Sequence, residues 1–410
     1  MILSRSALSL ALVLGLTASC LAQGTEAMPQ EATAQYDYDW VFVYYMAYDN
    51  NLEACGRPII DMLGKGVTSD RTAVVVSADF RNANGMERYV LTKDADSEQG
   101  FAEEKTQLEE EGMAEEETLQ AEMTWVAENM KAKKYAIVFL NHGGRLGEMS
   151  YDERPGKEGG QNWLYPPEVA KVLAKFRRDV SGEVELMFYQ QCGKGTLENY
   201  HAMKDVAKWV MGSQTVVGAP NYYYTKAIQA VCDDPSVDGA AVAKLFTNHE
   251  TPNMFTTYTT MDTAALAVLP AKVDAVLKPI LAIEGKIELP SMSREFRPCF
   301  NFGRDELMFD GIALLDGLYS ANELDQAPLE VFKSFVKDEL ISNHRVSPMR
   351  EGLAGSWCGF SIFFPTQLST LEKYATSYSL YESSELDTLL RRLLTPVPAP
   401  KASTPKKAFK

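Results

Sequence analysis

Runs of apolar residues at 40–46, 72–78, 135–140, 184–189 and 358–364 recur along the chain, each short, rich in branched or aromatic side chains and bounded by polar residues. That length and composition predict strands buried on both faces. Residues 87–92 predict a short edge strand. Residues 208–211 and 215–217 form one more strand region, broken at Gly212-Ser213. Helical patterns lie between the runs. Asn50 and Glu53 have capping-box spacing, so a helix is expected to begin there. Another is predicted over about 115–130, and a third from Pro166-Pro167 to about residue 178, because proline suits a first helical turn. Beyond about residue 225 the pattern becomes more helical. Buried strands alternating with helices predict an α/β fold with a mainly parallel central sheet, helices on both faces and a more helical C-terminal part.

The 410 residues and net charge of −16 refine this picture. An acidic chain does not suit a nucleic-acid partner, since phosphate backbones select basic surfaces. Acidic residues cluster over 103–122, which reads as a solvated helix face or loop. Residues 1–22 read as an export signal, with Arg5 ahead of an apolar stretch over 7–16 that is too short to span a bilayer. Thr17-Ala18-Ser19-Cys20 resembles a lipobox, so two outcomes stand: lipidation at Cys20, the one route to a membrane, or cleavage near Ala22. The expected organisation is a flexible leader over 23–38, a catalytic core over 39–225, its C-terminal part over 226–394 and a disordered tail over 395–410.

After Cys20, five cysteines remain: Cys55, Cys192, Cys232, Cys299 and Cys358. An odd number leaves at least one free thiol. There is no Cys-x-x-Cys pair to suggest structural zinc. All but Cys192 read as buried thiols, with one disulfide among them left open.

Chemistry concentrates at two strand ends. His142 stands in Asn141-His142-Gly143-Gly144 directly behind the run 135–140. Cys192 follows fifty positions later, in Gln190-Gln191-Cys192-Gly193 behind the run 184–189. Open α/β sheets collect their chemistry at the carboxyl ends of strands. Taken singly, a strand-end histidine satisfies a loop carbonyl and a lone cysteine is a small hydrophobe. Together they offer a thiol, an imidazole to take its proton, and an imidazolium to protonate a leaving amine. The backbone N–H groups of Gly143 and Cys192 are the candidate oxyanion donors. His201 reads as a surface or packing residue, and His249 and His344 have no partner at recognisable spacing. Tyr222-Tyr223-Tyr224 reads either as lining a substrate groove, the reading preferred, or as a core and turn segment.

The chain resembles the clostripain family of cysteine peptidases, in the caspase–gingipain–legumain clan, over roughly residues 40–365. The resemblance rests on ordered segments. The first run leads into Asp49-Asn50-Asn51-Leu52-Glu53, and the third into Asn141-His142-Gly143-Gly144. Pro166-Pro167-Glu168-Val169-Ala170 and the strand into Cys192 follow, with Glu198 on the next helix, then Thr260-Met261-Asp262-Thr263 and the run from Gly359 to Pro365. It implies a caspase-like α/β/α sandwich, protein or peptide substrates, His142 as general base and acid, and Cys192 as nucleophile. It places Gln190 in the S1 pocket, where the family usually has aspartate, with Ser213 and Gln214 as a second, neutral wall. A neutral amide does not reward a basic P1 residue as a buried carboxylate does. Arg154 and Lys157, in a glycine-rich loop, are the implied processing points, although self-cleavage there does not follow if S1 refuses basic residues. No cofactor is required. Calcium is suggested by the resemblance alone; Asp49, Asp152 and Glu153 could supply oxygens, but they read better as loop and cap residues. The altered Gln190 also motivates a rival reading, a catalytically inactive surface or periplasmic binding protein on the same scaffold. A thiol-dependent amidase or transpeptidase would share the dyad.

Overall fold

The apolar runs become the centre of one large sheet in the computed structural model, which describes residues 35–395 apart from 82, 84, 110–111, 155–158, 294–295 and 351–356. Cys20, Lys157, the export segment, nearly all of the leader and the tail beyond Thr395 lie outside the described residues. The strands are β1 (Tyr38–Tyr48), β2 (Thr72–Phe80), β3 (Glu87–Lys93), β4 (Phe101–Gln107), β5 (Ala132–Leu140), β6 (Glu183–Gln190), β7 (Trp209–Gly212), β8 (Thr257–Asp262), β9 (Pro298–Phe302), β10 (Glu306–Asp310), β11 (Ile341–Val346) and β12 (Ser361–Pro365). The helices are α1 (Glu53–Gly66), α2 (Glu116–Asn129), α3 (Pro166–Asp179), α4 (Leu197–Ala202), α5 (Tyr224–Asp233), α6 (Gly239–His249), α7 (Thr263–Leu281), α8 (Gly311–Ala321), α9 (Ala327–Phe335), α10 (Leu368–Glu372), α11 (Ser379–Ser383) and α12 (Leu386–Leu394).

Nine strands form the main sheet in the order β11-β8-β7-β6-β5-β1-β2-β3-β4. Its centre, from β7 to β2, is parallel, while β3 and β4 on one flank and β8 and β11 on the other are antiparallel. A smaller sheet, β12-β10-β9, stands apart. Side-chain alternation along β1 explains the layers. Val41, Val43, Tyr45 and Ala47 enter one apolar core, with side chains of α2, α3, α4 and α7. Trp40, Phe42, Tyr44, Met46 and Tyr48 enter the other, with side chains of α1, α5 and α6. A strand with period-two side chains can serve two cores only if both faces are apolar, which is why β1 reads as an unbroken hydrophobic run. Each valine, phenylalanine and methionine among them contributes about 1.5–3 kcal/mol by burial.

Several expectations change. Strand β3 is not an edge, because β4 pairs along its whole length. The acidic stretch is divided: Glu103 and Glu104 are exposed on β4, but Glu122 is buried and paired with Arg88, its carboxylate also accepting from Ser77 Oγ at 2.7 Å. Residues 215–217 make only an isolated bridge, Val217 with Phe255. Asn50 does not cap as a box: its Oδ1 accepts from Leu52 N at 2.9 Å while its amide donates to Ala47 O and Tyr151 O. All five described cysteines are free thiols, so the disulfide left open is not formed. Among the described residues no helix is long and apolar enough to cross a membrane.

Candidate active site

Register explains why a spacing of fifty matters. β5 and β6 run parallel and adjacent, with Ile137 beside Met187 and Leu140 beside Gln190. Continuing each chain two residues past its strand brings His142 and Cys192 to neighbouring positions. The two loops then touch: a Cβ on Gly143 would lie 1.9 Å from the Cys192 carbonyl oxygen, so only glycine permits this approach. Gly193 takes φ +64° and gives its N–H to Thr215 O at 2.8 Å, and Gly195 gives its own to Ser213 O at 2.7 Å. Across the site, Ser150 N bonds His142 O at 3.1 Å, and Gln191 Nε2 reaches Ser150 Oγ at 2.9 Å.

The two candidate groups are half-buried, and each has a local partner. His142 Nε2 lies 2.8 Å from Asn51 Oδ1. An amide oxygen only accepts, which assigns the ring proton to Nε2 and leaves Nδ1 as the basic nitrogen. Burial lowers the imidazole pKa below its ordinary value. The Cys192 thiol lies between the backbone groups of Val217, accepting from its N–H at 3.3 Å and donating to its carbonyl at 3.5 Å. Burial raises the thiol pKa, while the Val217 contact and the charge of Lys194 pull it down. This resting arrangement favours a neutral thiol and a neutral imidazole. Asn51 was read in the sequence only as part of a helix start. Its neighbour Asn50, held by Ala47 and Tyr151, fixes the turn that presents it.

Gln190 is buried in a polar network. Its amide donates to Asn221 Oδ1 and, at 2.7 Å, to the Tyr224 hydroxyl, and its oxygen accepts from the Tyr223 hydroxyl at 2.6 Å. Asn221 also reaches Tyr258 OH at 3.3 Å and meets Glu250, whose carboxyl pKa is raised by burial. Sequence reading did not find Glu250, sixty residues from Gln190. Ser213 is buried against Thr257, and Gln214 is buried too, engaged with Asp310, Phe360 O and Gly359 N of the smaller sheet's region. The tyrosine triplet divides: Tyr222 is exposed, while Tyr223 and Tyr224 are core residues rather than groove walls. Next to the thiol's partner Val217, a cleft of about 230 Å³ is lined by residues that include Val216, Met254, Phe255, Met349 and Arg350.

Arg154 is half-exposed, with Nε on Asp49 Oδ2 at 2.7 Å. Asp49, Asp79 and Asp152 are buried and place one oxygen each within 4.8 Å of the others. Glu153 is not in this group; it pairs with Arg81. The three carboxylates could offer a cation one oxygen each, and Asp49 Oδ1 is buried with no hydrogen-bond partner. Arg81 and Arg154 flank Asp49, and backbone N–H groups of Met113 and Arg154 each bond one oxygen of Asp152, so the cluster's charge is partly met by the protein itself. His201 and His344 are packing residues bound to Ser379 Oγ and to Thr259 Oγ1 and Trp357 O. His249 closes α6.

Comparison with known proteins gives a consistent picture. The sequence profile described as the clostripain family, Peptidase C11, matches residues 43–390. No curated protein sequence matches. Among solved structures, a secreted C11 cysteine protease from Bacteroides thetaiotaomicron, "iotapain", superposes with a TM-score of 0.65 at 16% identity, covering 85% of this chain and 100% of that one. An inactive zymogen C11 protease from Parabacteroides distasonis gives 0.62 at 15% identity, covering 85% and 99%. A Bacteroides thetaiotaomicron C11 protease in complex with an irreversible peptide inhibitor gives 0.60 at 14% identity, also covering 85% and 99%. At these identities the likeness carries the caspase-like fold.

Proposed function

The chain belongs to the clostripain family of cysteine peptidases, and we propose that it is an exported endopeptidase whose nucleophile is Cys192 and whose general base and acid is His142. One observation carries the assignment: the β5–β6 register and the Gly143–Cys192 contact put a thiol and an imidazole at adjoining strand ends. His142 Nδ1 takes the thiol proton and the thiolate attacks the peptide carbonyl. The N–H groups of Gly143 and Cys192 face the developing oxyanion, and the imidazolium then protonates the leaving amine. Water resolves the thioester. No metal or cofactor enters this scheme. Substrates are proteins or peptides, and a peptide segment has to displace the Val217 contact to reach the sulfur.

The family resemblance puts the P1 pocket beside Gln190, whose buried amide bonds Asn221 and two tyrosine hydroxyls and so carries no charge of its own, with the Glu250 carboxyl behind Asn221. We read it as accepting P1 residues that carry no positive charge, which argues against processing at Arg154 by the enzyme itself. Export rests on the residue 1–22 pattern, and lipidation at Cys20 on the lipobox resemblance. The dyad is tested by Cys192→Ala and His142→Ala against a mixed peptide library. Activity persisting in either variant sinks the assignment. A P1-varied fluorogenic series with intact-mass measurement tests the pocket: cleavage confined to Arg and Lys, together with a cut after Arg154, reverses this reading.

A further inference from the structure

Lys194, two residues past the thiol, is fully buried. Glycines on both sides explain how a lysine is aimed inward. The backbone at 193 and 195 is tied to Thr215 and Ser213, and a Cβ at Gly195 would come within 2.6 Å of the Ser213 carbonyl carbon. The ammonium donates to the carbonyl oxygens of Arg145 and, at 3.2 Å, Leu146. Both carbonyls belong to the loop that begins at His142. Other groups hold that loop in place. Glu306 of β10 accepts from Leu146 N and Arg145 Nη1, each at 3.2 Å, and Tyr378 OH donates to Leu146 O at 2.8 Å.

We propose that Lys194 is a positioning residue of the active site: two residues past the thiol, it fastens the histidine loop to the nucleophile loop through the carbonyl oxygens of Arg145 and Leu146. The proposal rests on the reading of His142 and Cys192 as the dyad. Burial pushes the Lys194 pKa down to about 7, while Glu148, Glu306 and Cys192 push it up. The charged and titratable groups that act on it are Glu148, Glu306 and Cys192, with Arg145 and Tyr374 bonded to Glu306 and Tyr378 sharing the Leu146 carbonyl. Ammonium and thiolate each favour the charged form of the other. A lysine that only satisfied two carbonyls would stabilise the loop without altering the thiol.

The test is the pH dependence of Cys192 alkylation by iodoacetamide in the wild type, Lys194→Met and Lys194→Arg, with Cys192→Ser measuring background from the other thiols. The expected result is an alkylation midpoint raised by about one unit in Lys194→Met and largely restored in Lys194→Arg. Peptide turnover in Lys194→Met should fall roughly tenfold in kcat with KM little changed. An unchanged midpoint in a folded Lys194→Met overturns the proposal. Should that variant not fold, NMR titration of the Lys194 side chain in the wild type and in Cys192→Ser decides. Loss of the thiolate should lower the lysine's midpoint, and identical titrations overturn the proposal. Alkylation needs no turnover, so a shifted midpoint without peptide hydrolysis would sink the peptidase assignment and leave the role of Lys194 standing.

Discussion

A single methyl group at Gly143 is enough to separate the two strand ends. Its carbon would fall 1.9 Å from the Cys192 carbonyl oxygen, and a backbone atom cannot rotate aside. Gly143→Ala should lose at least about a hundredfold in kcat/KM, because small displacements of reacting groups cost that much. Its stability should fall by only about 1–3 kcal/mol, the scale of local overpacking. Peptide kinetics beside a urea melt checks this; near-normal turnover would mean that the loops need not touch. His142 makes a second residue-scale prediction. Burial holds its pKa below the ordinary 6.5. The basic imidazole therefore persists as pH falls through 6.5, and the acid limb of kcat/KM should lie below that value. A limb above 6.5, measured with a peptide of neutral P1, contradicts the burial seen here.

At the scale of elements, α4 joins two buried titratable groups with opposite pH behaviour. Burial pushes the Glu198 carboxyl up to about 7 from 4.5, and the His201 imidazole down to about 4 from 6.5. The folded value of Glu198 lies above its unfolded one, so its contribution to stability is complete below pH 4.5 and is lost as pH rises toward 7. His201 is the reverse: its contribution is complete above pH 6.5 and is lost as pH falls toward 4. Between pH 4.5 and 6.5 the two slopes oppose each other. Glu198→Gln removes one of them, so relative to the wild type its stability should rise with pH across that window by up to about 1.4 kcal/mol per pH unit. Urea midpoints at half-unit pH steps measure the difference, and parallel curves would refute it. Sequence reading succeeded with elements of a particular kind. β1, β2, β5 and β6 were legible because both faces are buried and the apolar run is unbroken, and the fifty-residue spacing was legible because β5 and β6 share one register. β4 was missed because it is an edge strand whose residues 103–107 are exposed. Glu122 was misread because its partner, Arg88, comes from another strand. Asn51, Val217 and Lys194 acquire their places beside the dyad only through long-range contacts, which no local pattern records.

Across the whole molecule, the smaller sheet braces the end of the larger one that carries the candidate active site. Ser361 N bonds Gly195 O at 2.8 Å, Gln214 reaches Asp310 and Phe360 O, Phe363 N reaches Glu198 Oε1 at 3.2 Å, and Glu306 holds Leu146 N. These braces meet the loops that carry the proposed dyad, and the side chains of α7, α8, α9 and α12 share one core with those of α3 and α4. The described residues from Tyr36 onward accordingly form one compact unit. A fragment of residues 36–225 would keep every proposed catalytic group, but it would lose β8, leave β7 as an unpaired edge and expose the apolar face that residues 263–394 cover. An uncovered core of that extent and a new strand edge favour association over folding. The fragment should therefore show no cooperative thermal transition and should elute as aggregate, while the unit 36–395 should unfold in one urea transition by fluorescence and by loss of peptide hydrolysis. Circular dichroism and size-exclusion chromatography decide the first point. A monomeric fragment with a sharp melt would make the second half an accessory, and the Gly195, Gln214 and Glu306 braces would then have to be dispensable for holding the site together.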